Sequence, residues 1–282
     1  MPLSYKDVGA PLTEPLTLVQ AKAQLVLDAG FTQDDVFVAA LITAARQYVE
    51  KLMNRAIFPR AMQLNLDFFP YPVYDGTVNP NDRHCLYGYF WHALAIRLPK
   101  PAALSVQSIT YIDLSGVQQT LDPSLYFLDP NSEPGRIVPK PGIYWPYTQS
   151  WLPGSVQVNY TAGTYVNTVA AEAVVVPSAA PYALPLSQLA SYVGMATLVD
   201  ANGAAVPFTG GAAPVVAASY AGQTLTATYY TANCPLTVVQ AMLLLISHWY
   251  NHRDAAEAQP PKEIDLGVQN LLAGEIFETF GY

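Results

Sequence analysis

Two histidines near the end of the chain have the spacing of a metal site. His248 and His252 stand four residues apart, so a helix would place both on one face, as in helical zinc sites. A metalloprotease needs a glutamate directly after the first histidine to activate water, and Trp249 stands there instead. No third ligand is evident in the neighbouring sequence. We therefore interpret the pair as histidines on a helix surface or at an interface.

A second candidate for chemistry is His84-Cys85 beside Asp82, which are residue types that could serve as a nucleophile and its base. Neighbours in sequence rarely provide that geometry, because a catalytic triad depends on side chains that converge from separate segments. Asp75, Asn79 and Asp82 lack the ordered spacing of an EF-hand calcium loop. The sequence also contains no nucleophile elbow and no phosphate-binding glycine loop. It therefore predicts a protein that is not an enzyme and has no cofactor.

The composition favours contacts with partners. The chain has 282 residues, of which 51% are hydrophobic, so a sizeable core can form. Charged residues make up only 12%, which is well below the roughly 25% that is usual. Large apolar patches on a protein surface usually mark contacts. A surface with so little charge is therefore expected to be partly covered by partners.

The charge of the chain argues against binding to nucleic acid. The net charge is −8, and no lysine or arginine occurs between Lys140 and Arg253, whereas binding phosphates requires clustered basic residues.

The two cysteines, Cys85 and Cys234, do not form a disulfide framework and are expected to be reduced. No run approaches the roughly 20 apolar residues of a membrane span, so we expect assembly in the cytoplasm and no contact with a membrane.

Helical patterns occur at both ends of the chain. Thr17 and Gln20 have the spacing of a capping box and predict a short helix over 18–28. A second helix is predicted from Thr32 to Asn54, with Arg46 and Glu50 as a solvent-exposed ion pair. Its buried stripe is predicted to be Phe37, Leu41, Ala44, Tyr48 and Leu52.

Two further helices are expected at the C-terminal end. Pro235 is predicted to lie in the first turn of the most hydrophobic helix, which is apolar nearly all round and runs to Tyr250. After a linker with Pro260-Pro261, Asp265 is predicted to cap a last short helix.

Between these helices the hydrophobic period changes to two. Met62, Leu64, Leu66 and Phe68 alternate with polar residues, which predicts a strand with one buried face. Further strands are predicted at 94–98, 105–113, 117–121, 125–128, 155–160, 195–199, 205–208 and 224–230. The predicted fold class is α+β, with an antiparallel β-sheet or small β-sandwich packed against a helical layer.

Four regions follow from this pattern. They are N-terminal helices (1–60), an antiparallel β region (61–163), an inserted β module (164–233), and C-terminal helices and a tail that pack with the N-terminal helices (234–282). The β region contains a long aromatic loop at 69–93, whose tyrosines are candidate interface residues: Tyr71, Tyr74, Tyr87 and Tyr89. Tyrosine is common in protein interfaces and can also stack on sugars. The loop could equally cover the edge of the sheet.

In this order, several short segments resemble the head-to-tail connector (adaptor) proteins of tailed bacteriophages. They are residues 16–22 and 44–50, then Asn54-Arg55-Ala56, 96–101 leading to 108–113, 134–137, 160–163, the helix with His248-Trp249-Tyr250 and Arg253, and the turn Leu266-Gly267-Val268. The blocks are collinear and individually of modest specificity. The segment 164–233 departs from the pattern, since a short connection is expected there.

The resemblance implies a structural protein of the virion neck. Such proteins form a ring, commonly twelvefold, that docks on the portal protein, extends the channel for double-stranded DNA without binding it specifically, and offers a platform to the tail or stopper protein. Head-to-tail contacts that close would generate the ring. A glycan-binding module of a virion or cell surface is the alternative, and its recognition would rest on tyrosine and tryptophan.

The resemblance also implies roles for residues near the C-terminus. Packing within the helical layer is assigned to Trp249, Tyr250 and Arg253. Docking on the portal is assigned to the tail, with Leu266, Val268, Leu271, Leu272, Ile276, Phe277, Phe280 and Tyr282 as interface residues.

Overall fold

The computed structural model describes residues 3–71, 94–149, 152–252 and 262–277. The fold is α+β, which confirms the predicted class. The chain divides into two compact units, one made of Met1–Ala10 with Arg60–Gly163 and the other of Pro11–Pro59 with Thr164–Tyr282. Each unit is therefore assembled from two separate stretches of sequence.

The described part of the first unit contains strands and one short 3₁₀ helix at Pro123–Leu125, and no α-helix. Its strands are β1 (Leu3–Asp7), β2 (Arg60–Leu66), β3 (Ile96–Arg97), β4 (Ala103–Ile112), β5 (Gln118–Thr120), β6 (Tyr126–Asp129), β7 (Arg136–Pro139) and β8 (Val156–Ala162). A five-stranded antiparallel sheet has the order β1–β2–β8–β4–β5, and a three-stranded sheet has the order β3–β7–β6. The predicted strands of this region are confirmed with shifted bounds, whereas β1 and β7 were not predicted.

Buried and more exposed side chains alternate along β2 and β8, the central strands of the larger sheet. Met62 and Leu64 of β2 are buried beside Val158 of β8, as a period of two requires. The opposite face carries an uncharged ladder in which the Gln63 amide donates to Asn159 Oδ1 at 3.1 Å. The core of this unit therefore lies on one side of the sheet.

The described part of the second unit combines four α-helices with a small β module. Its helices are α1 (Leu18–Gln24), α2 (Asp35–Met53), α3 (Leu236–Asn251) and α4 (Lys262–Leu272), and its strands are β9 (Val166–Val175), β10 (Tyr192–Val199), β11 (Phe208–Thr209), β12 (Val215–Val216) and β13 (Thr224–Ala232). Helix α2 packs against α1 and α3, and α4 packs against α3. The strands form an antiparallel sheet in the order β10–β13–β9 and a separate β11–β12 pair. No described helix is both long enough and apolar enough to cross a bilayer.

The hairpin predicted at 195–208 is confirmed in its first part. Asp200 Oδ1 accepts hydrogen bonds from the N–H groups of Asn202 and Ala204, and Gly203 supplies the positive φ of +80° that the turn needs. Val206 N donates to Leu198 O at 2.8 Å. Phe208 leaves this hairpin, however, and pairs with Val216 instead.

The bounds of the first two helices differ from the prediction. The capping box of Thr17 and Gln20 is present, but α1 ends at Gln24 because Val26 adopts a left-handed φ of 58°. Helix α2 begins at Asp35 and ends at Met53, and the following C-cap residue Asn54 has the predicted left-handed conformation, with a φ of 56°.

The buried stripe of α2 was placed one residue too early. Of the predicted stripe, Leu41 is buried and Phe37 is exposed. The buried apolar residues are Val38, Leu41, Ile42, Ala45, Val49 and Met53. Both stripes are apolar, and one residue corresponds to a rotation of only about 100° around a helix.

The interpretation of Arg46 and Glu50 as a solvent-exposed pair was wrong. Both residues are only 2% exposed, and Arg46 Nη1 lies 2.9 Å from Glu50 Oε2. Arg46 Nε also binds Glu14 Oε2 at 2.7 Å, while Glu50 Oε1 accepts from Ile57 N at 2.9 Å. Burial opposes the charge on Arg46, but the two glutamates outweigh it and raise the pKa of the guanidinium. The network therefore joins the segment before α1, helix α2 and the turn after α2.

The starts of the last two helices also differ from expectation. Pro235 stands at the N-cap position of α3 and not within its first turn. Asp265 lies inside α4, which begins at Lys262, so the predicted cap at Asp265 was wrong. Lys and Glu are good helix formers, and they extend the helix back to the end of the proline pair. The middle of helix α3 is buried through Val238, Ala241, Met242, Leu243, Leu245 and Ile246, whereas Leu236 and Leu244 are exposed.

We expect Glu50→Ala to destabilise the protein by about 3–5 kcal/mol, because it leaves a buried guanidinium short of a partner and the Ile57 N–H without an acceptor. Glu50→Gln keeps an acceptor oxygen and should cost less. Gln47→Ala on the exposed side of α2 is the control and should change stability by no more than about 0.5 kcal/mol. Urea denaturation followed by circular dichroism measures all three. A loss below 1 kcal/mol for Glu50→Ala would contradict the assigned role.

Candidate assembly interface

Trp249 and Tyr250 close the end of α3 against α2. The Trp249 ring meets Tyr48 edge-on with 5.9 Å between ring centroids. The Tyr250 hydroxyl donates to Asp34 Oδ2 at 2.5 Å, and its ring lies 6.1 Å from that of Phe37. Both side chains are half-buried. Their contacts hold the helical layer of one chain together, and Arg253 lies outside the described residues.

Helix α4 is held to its own chain by the residues assigned to docking. Val268 and Leu272 are fully buried, and α4 packs against α3. Leu271, in contrast, is exposed. Leu266 lies within the helix. Of the assigned residues whose side chains are described in α4, Leu271 is thus the one that faces solvent.

The segment after α4 is anchored to the end of α2. Phe277 N donates to Met53 O at 2.9 Å, and Arg55 Nε donates to Glu275 O at 2.8 Å. The Tyr165 hydroxyl donates to the Glu275 carboxylate, and the Arg55 guanidinium lies 5.6 Å from the centre of the Phe277 ring. Half-buried Ile276 lies between these anchors. Residues 275–277 therefore belong to the fold of the second unit, whereas Phe280 and Tyr282 lie outside the described residues.

The surroundings of Glu275 also raise the pKa values of Tyr165 and Cys234. Burial, reinforced by the Glu275 carboxylate, raises the pKa of Tyr165 well above its ordinary value. The same two causes, in the same order, raise the pKa of the Cys234 thiol to about 12. Cys234 is a free thiol that stays protonated at neutral pH, so it is poorly suited to act as a nucleophile.

Of the candidate tyrosines in the aromatic loop, Tyr71 lies within the described residues. Its hydroxyl donates to Pro146 O at 2.9 Å, and its ring stacks on Tyr147 with centroids 5.8 Å apart. Burial raises the pKa of Tyr71, and nearby Tyr147 adds to this shift. Tyr147 is itself 74% exposed, so the pair presents an aromatic surface to solvent. Tyr74, Tyr87 and Tyr89 lie outside the described residues.

The candidates for chemistry gain no support from the geometry. The rings of His248 and His252 are 4.5 Å apart, and the Nδ1 of His252 hydrogen-bonds the His248 carbonyl at 3.0 Å. Within the described ranges, no group of three potential ligands could hold a metal ion. The second candidate, His84-Cys85 with Asp82, lies outside them, as do Asp75 and Asn79.

Three valines that the sequence analysis did not single out are strongly exposed in the N-terminal helices. Val19 is 75% exposed, Val26 is 92% exposed and Val36 is 86% exposed. Surface valines that occur singly are ordinary. Val26, however, also occupies a strained backbone position, which distinguishes it from the other two.

Val26 occupies the position after α1 where glycine is usual. Leu27 N donates to Lys22 O and Val26 N donates to Ala23 O, which is the Schellman pattern of a helix end. The left-handed φ of 58° costs a residue with a Cβ roughly 1–2 kcal/mol. An exposed β-branched side chain in such a conformation makes Val26 a candidate contact residue. A valine at the expected glycine position is the sequence signal that could have revealed it.

Hydrogen bonds and an ion pair of Lys22 fasten the loop that carries Val26. The buried Lys22 ammonium forms an ion pair with Asp35 Oδ1 at 2.8 Å and donates to the carbonyls of Ala29 and Phe31. These contacts fasten the connection between α1 and α2. The backbone around Val26 therefore has a defined conformation, which lowers the entropy cost of a contact at this residue.

The chain was compared with known proteins. No family model matches the sequence, and no curated protein matches it. A chain in the neck of an empty GTA particle, computed with C6 symmetry, is similar with a TM-score of 0.53 and 17% identity, over 99% of this chain and 98% of that chain. A chain in the virion of a native gene transfer agent (GTA) particle gives a TM-score of 0.52 and 17% identity with the same coverage. The likeness shows that the fold is shared along nearly the whole chain.

We expect Val26→Gly to stabilise the isolated chain by about 0.5–1 kcal/mol, because glycine adopts the left-handed conformation without a clash. The same change should weaken self-association if Val26 contacts a second copy. Val26→Ala is the matched control, since it shortens the side chain but retains most of the strain. Urea denaturation and sedimentation velocity measure the two effects. Val26→Gly with unchanged association would contradict a contact at this valine.

Proposed function

We propose that this protein is a structural component of the neck of a phage-like particle. In this proposal, copies assembled in the host cytoplasm form a ring that docks on the portal, extends the DNA channel and gives the tail or stopper protein its attachment platform. The observation that carries the proposal is the shared fold, over 99% of this chain, with a chain in the neck of a GTA particle. The order of segments that resembles phage connectors supports the same role.

The mechanism is binding without covalent chemistry. Head-to-tail contacts join two different surfaces of neighbouring copies, and they close into a ring when the rotation between copies divides a full turn. Strongly exposed Val19, Val26 and Val36 offer apolar surface for such contacts. By analogy with connectors, the ring is assigned twelve copies.

The charge distribution suits a passage for DNA. No lysine or arginine occurs between Lys140 and Arg253, and the net charge of the chain is −8. A surface without clustered cations cannot displace the counterions of DNA and so does not hold it. DNA could therefore move past such a ring without being gripped.

The anchoring of residues 275–277 supports a docking segment that is shorter than the whole tail. Residues 275–277 are anchored on α2 and Arg55, so deleting them would disturb the fold of the second unit. We therefore assign portal docking to 278–282, with Phe280 and Tyr282 as aromatic anchors, and to exposed Leu271.

We expect deletion of 278–282 to weaken binding to the portal at least about tenfold, which is the loss expected for one aromatic hot spot. The thermal midpoint should stay close to that of the full chain, whereas deletion of 275–282 should lower it. Co-sedimentation and calorimetry with the purified portal protein measure binding, and Thr279→Ala is the control within the tail. Undiminished binding after deletion of 278–282 would refute the assignment of the tail.

A glycan-binding module is the second candidate function. It is favoured by the exposed aromatic surface at Tyr147, which stacks on Tyr71, and by exposed Tyr144 nearby in sequence. Aromatic rings of this kind can stack on sugars. This candidate requires binding to a glycan that Tyr147→Ala abolishes, together with no ring on a portal.

A further inference from the structure

The small sheet of the second unit has one long strand at its edge. Strand β9 has ten residues and stands last in the order β10–β13–β9. Its side chains are small or uncharged apart from Glu172, and Thr168, Ala173 and Val175 are exposed. Edge strands of soluble proteins are usually short or protected by charges, because their backbone groups can pair with another chain.

The two edges of this sheet are treated differently. The outer side of β10 is covered at its C-terminal end by the chain itself, where Val206 N donates to Leu198 O at 2.8 Å and Asp200 N donates to Ala204 O at 2.9 Å. The outer side of β9 is covered by no other strand among the described residues. Among the described residues, the sheet therefore has one edge that is covered at its end and one edge, β9, that is open.

The hydrogen bonds at the two ends of β9 identify the backbone groups at the open edge. Val176 N donates to Gln223 O, so residue 176 directs its backbone groups toward the β13 side. Asn233 N donates to Tyr165 O, so the carbonyl of residue 165 points to the same side, whereas Tyr165 N donates to Ile57 O. Direction alternates along an antiparallel strand. Val175 and Ala173 from one end, and Val166 and Thr168 from the other, therefore direct N–H and C=O groups outward.

The single charge of β9 does not guard this edge. The Glu172 carboxylate accepts from the Tyr229 hydroxyl at 2.6 Å, from Ser187 N at 2.8 Å and from Ser187 Oγ at 3.0 Å. Burial favours the neutral acid, but these hydrogen bonds outweigh it and lower the pKa of Glu172. The carboxylate is thus engaged within its own unit.

A bulge at Ala171 limits how much of β9 can pair. Ala171 has a φ of 53°, and its N–H donates to Thr228 Oγ1 at 3.1 Å. The bulge divides the edge into the stretches 166–169 and 172–175, and it twists the strand locally. A partner strand is therefore expected to be short, which favours a specific contact over open-ended stacking.

We propose that the open edge of β9 receives a short extended strand from a second copy of this chain. The chemistry of the edge, alternating N–H donors and C=O acceptors, is matched by an extended backbone. The inference rests on the proposed ring, in which each copy must join its neighbour through two different surfaces. The chain has suitable donors, since the five-stranded sheet ends in β1 and β5, which have five and three residues.

Proline substitutions test the proposed pairing. The double variant Thr168→Pro with Ala173→Pro removes two outward N–H groups and leaves the ladder to β13 in place, as edge strands tolerate. Ring formation should weaken at least about tenfold, which corresponds to the loss of one or two backbone hydrogen bonds. The control pair Thr168→Ala with Ala173→Ser keeps both N–H groups and should assemble like the unmodified chain. Mass photometry measures assembly, and circular dichroism measures folding.

Hydrogen exchange of the unmodified chain provides a test that needs no variant. Peptides over 166–175 should gain protection at the outward amides when the ring forms. A ring whose β9 amides exchange as fast as those of the monomer would overturn the proposed pairing and leave the neck function standing. A chain that stays monomeric in the presence of the portal protein would contradict the neck function and this contact together.

Discussion

The second unit depends on one buried guanidinium. Placing an unpaired charge in a protein interior is costly, so Arg46 is stable there only while Glu14 and Glu50 surround it. Glu50 also accepts from Ile57 N, which fixes the turn after α2. Thr164 N and Tyr165 N then donate to the carbonyls of Ala56 and Ile57, so the start of β9 is placed by the same turn.

Several segments of the second unit are therefore attached at the C-terminal end of α2. Met53 O and Arg55 receive the segment 275–277, and Tyr165 meets Glu275 from the side of β9. Two features stand apart from this network among the described residues: the strained, exposed Val26 and the open edge of β9. Places where a consistent fold breaks its local rules are expected to be functional. In the proposed function, both features serve contacts between copies.

Local signals made part of this fold predictable from the sequence. The Thr17–Gln20 capping box, the left-handed Asn54 and the alternation of Met62, Leu64 and Leu66 were confirmed because each depends on near neighbours. The burial of Arg46 was not predictable, since a pair four residues apart looks the same on either side of a helix and Glu14 is distant in sequence.

Other features could be seen only in three dimensions. Strand β9 was missed because it is an edge strand whose alanines and valines are largely exposed, and it therefore shows no clear alternation. Trp249 and Tyr250 were chosen for their residue type, but their partners on α2 are set by helix packing. Val26 was overlooked because it stands at the glycine position only if α1 ends at Gln24, and the predicted helix ran on to residue 28.

Electron microscopy with mass determination of this chain, mixed with the portal protein encoded in the same genome, tests the neck assignment most directly. The proposed function predicts a closed ring of copies stacked on the portal, with the mass of about twelve chains if the analogy with connectors holds. A chain that remains monomeric and leaves the portal bare would contradict it.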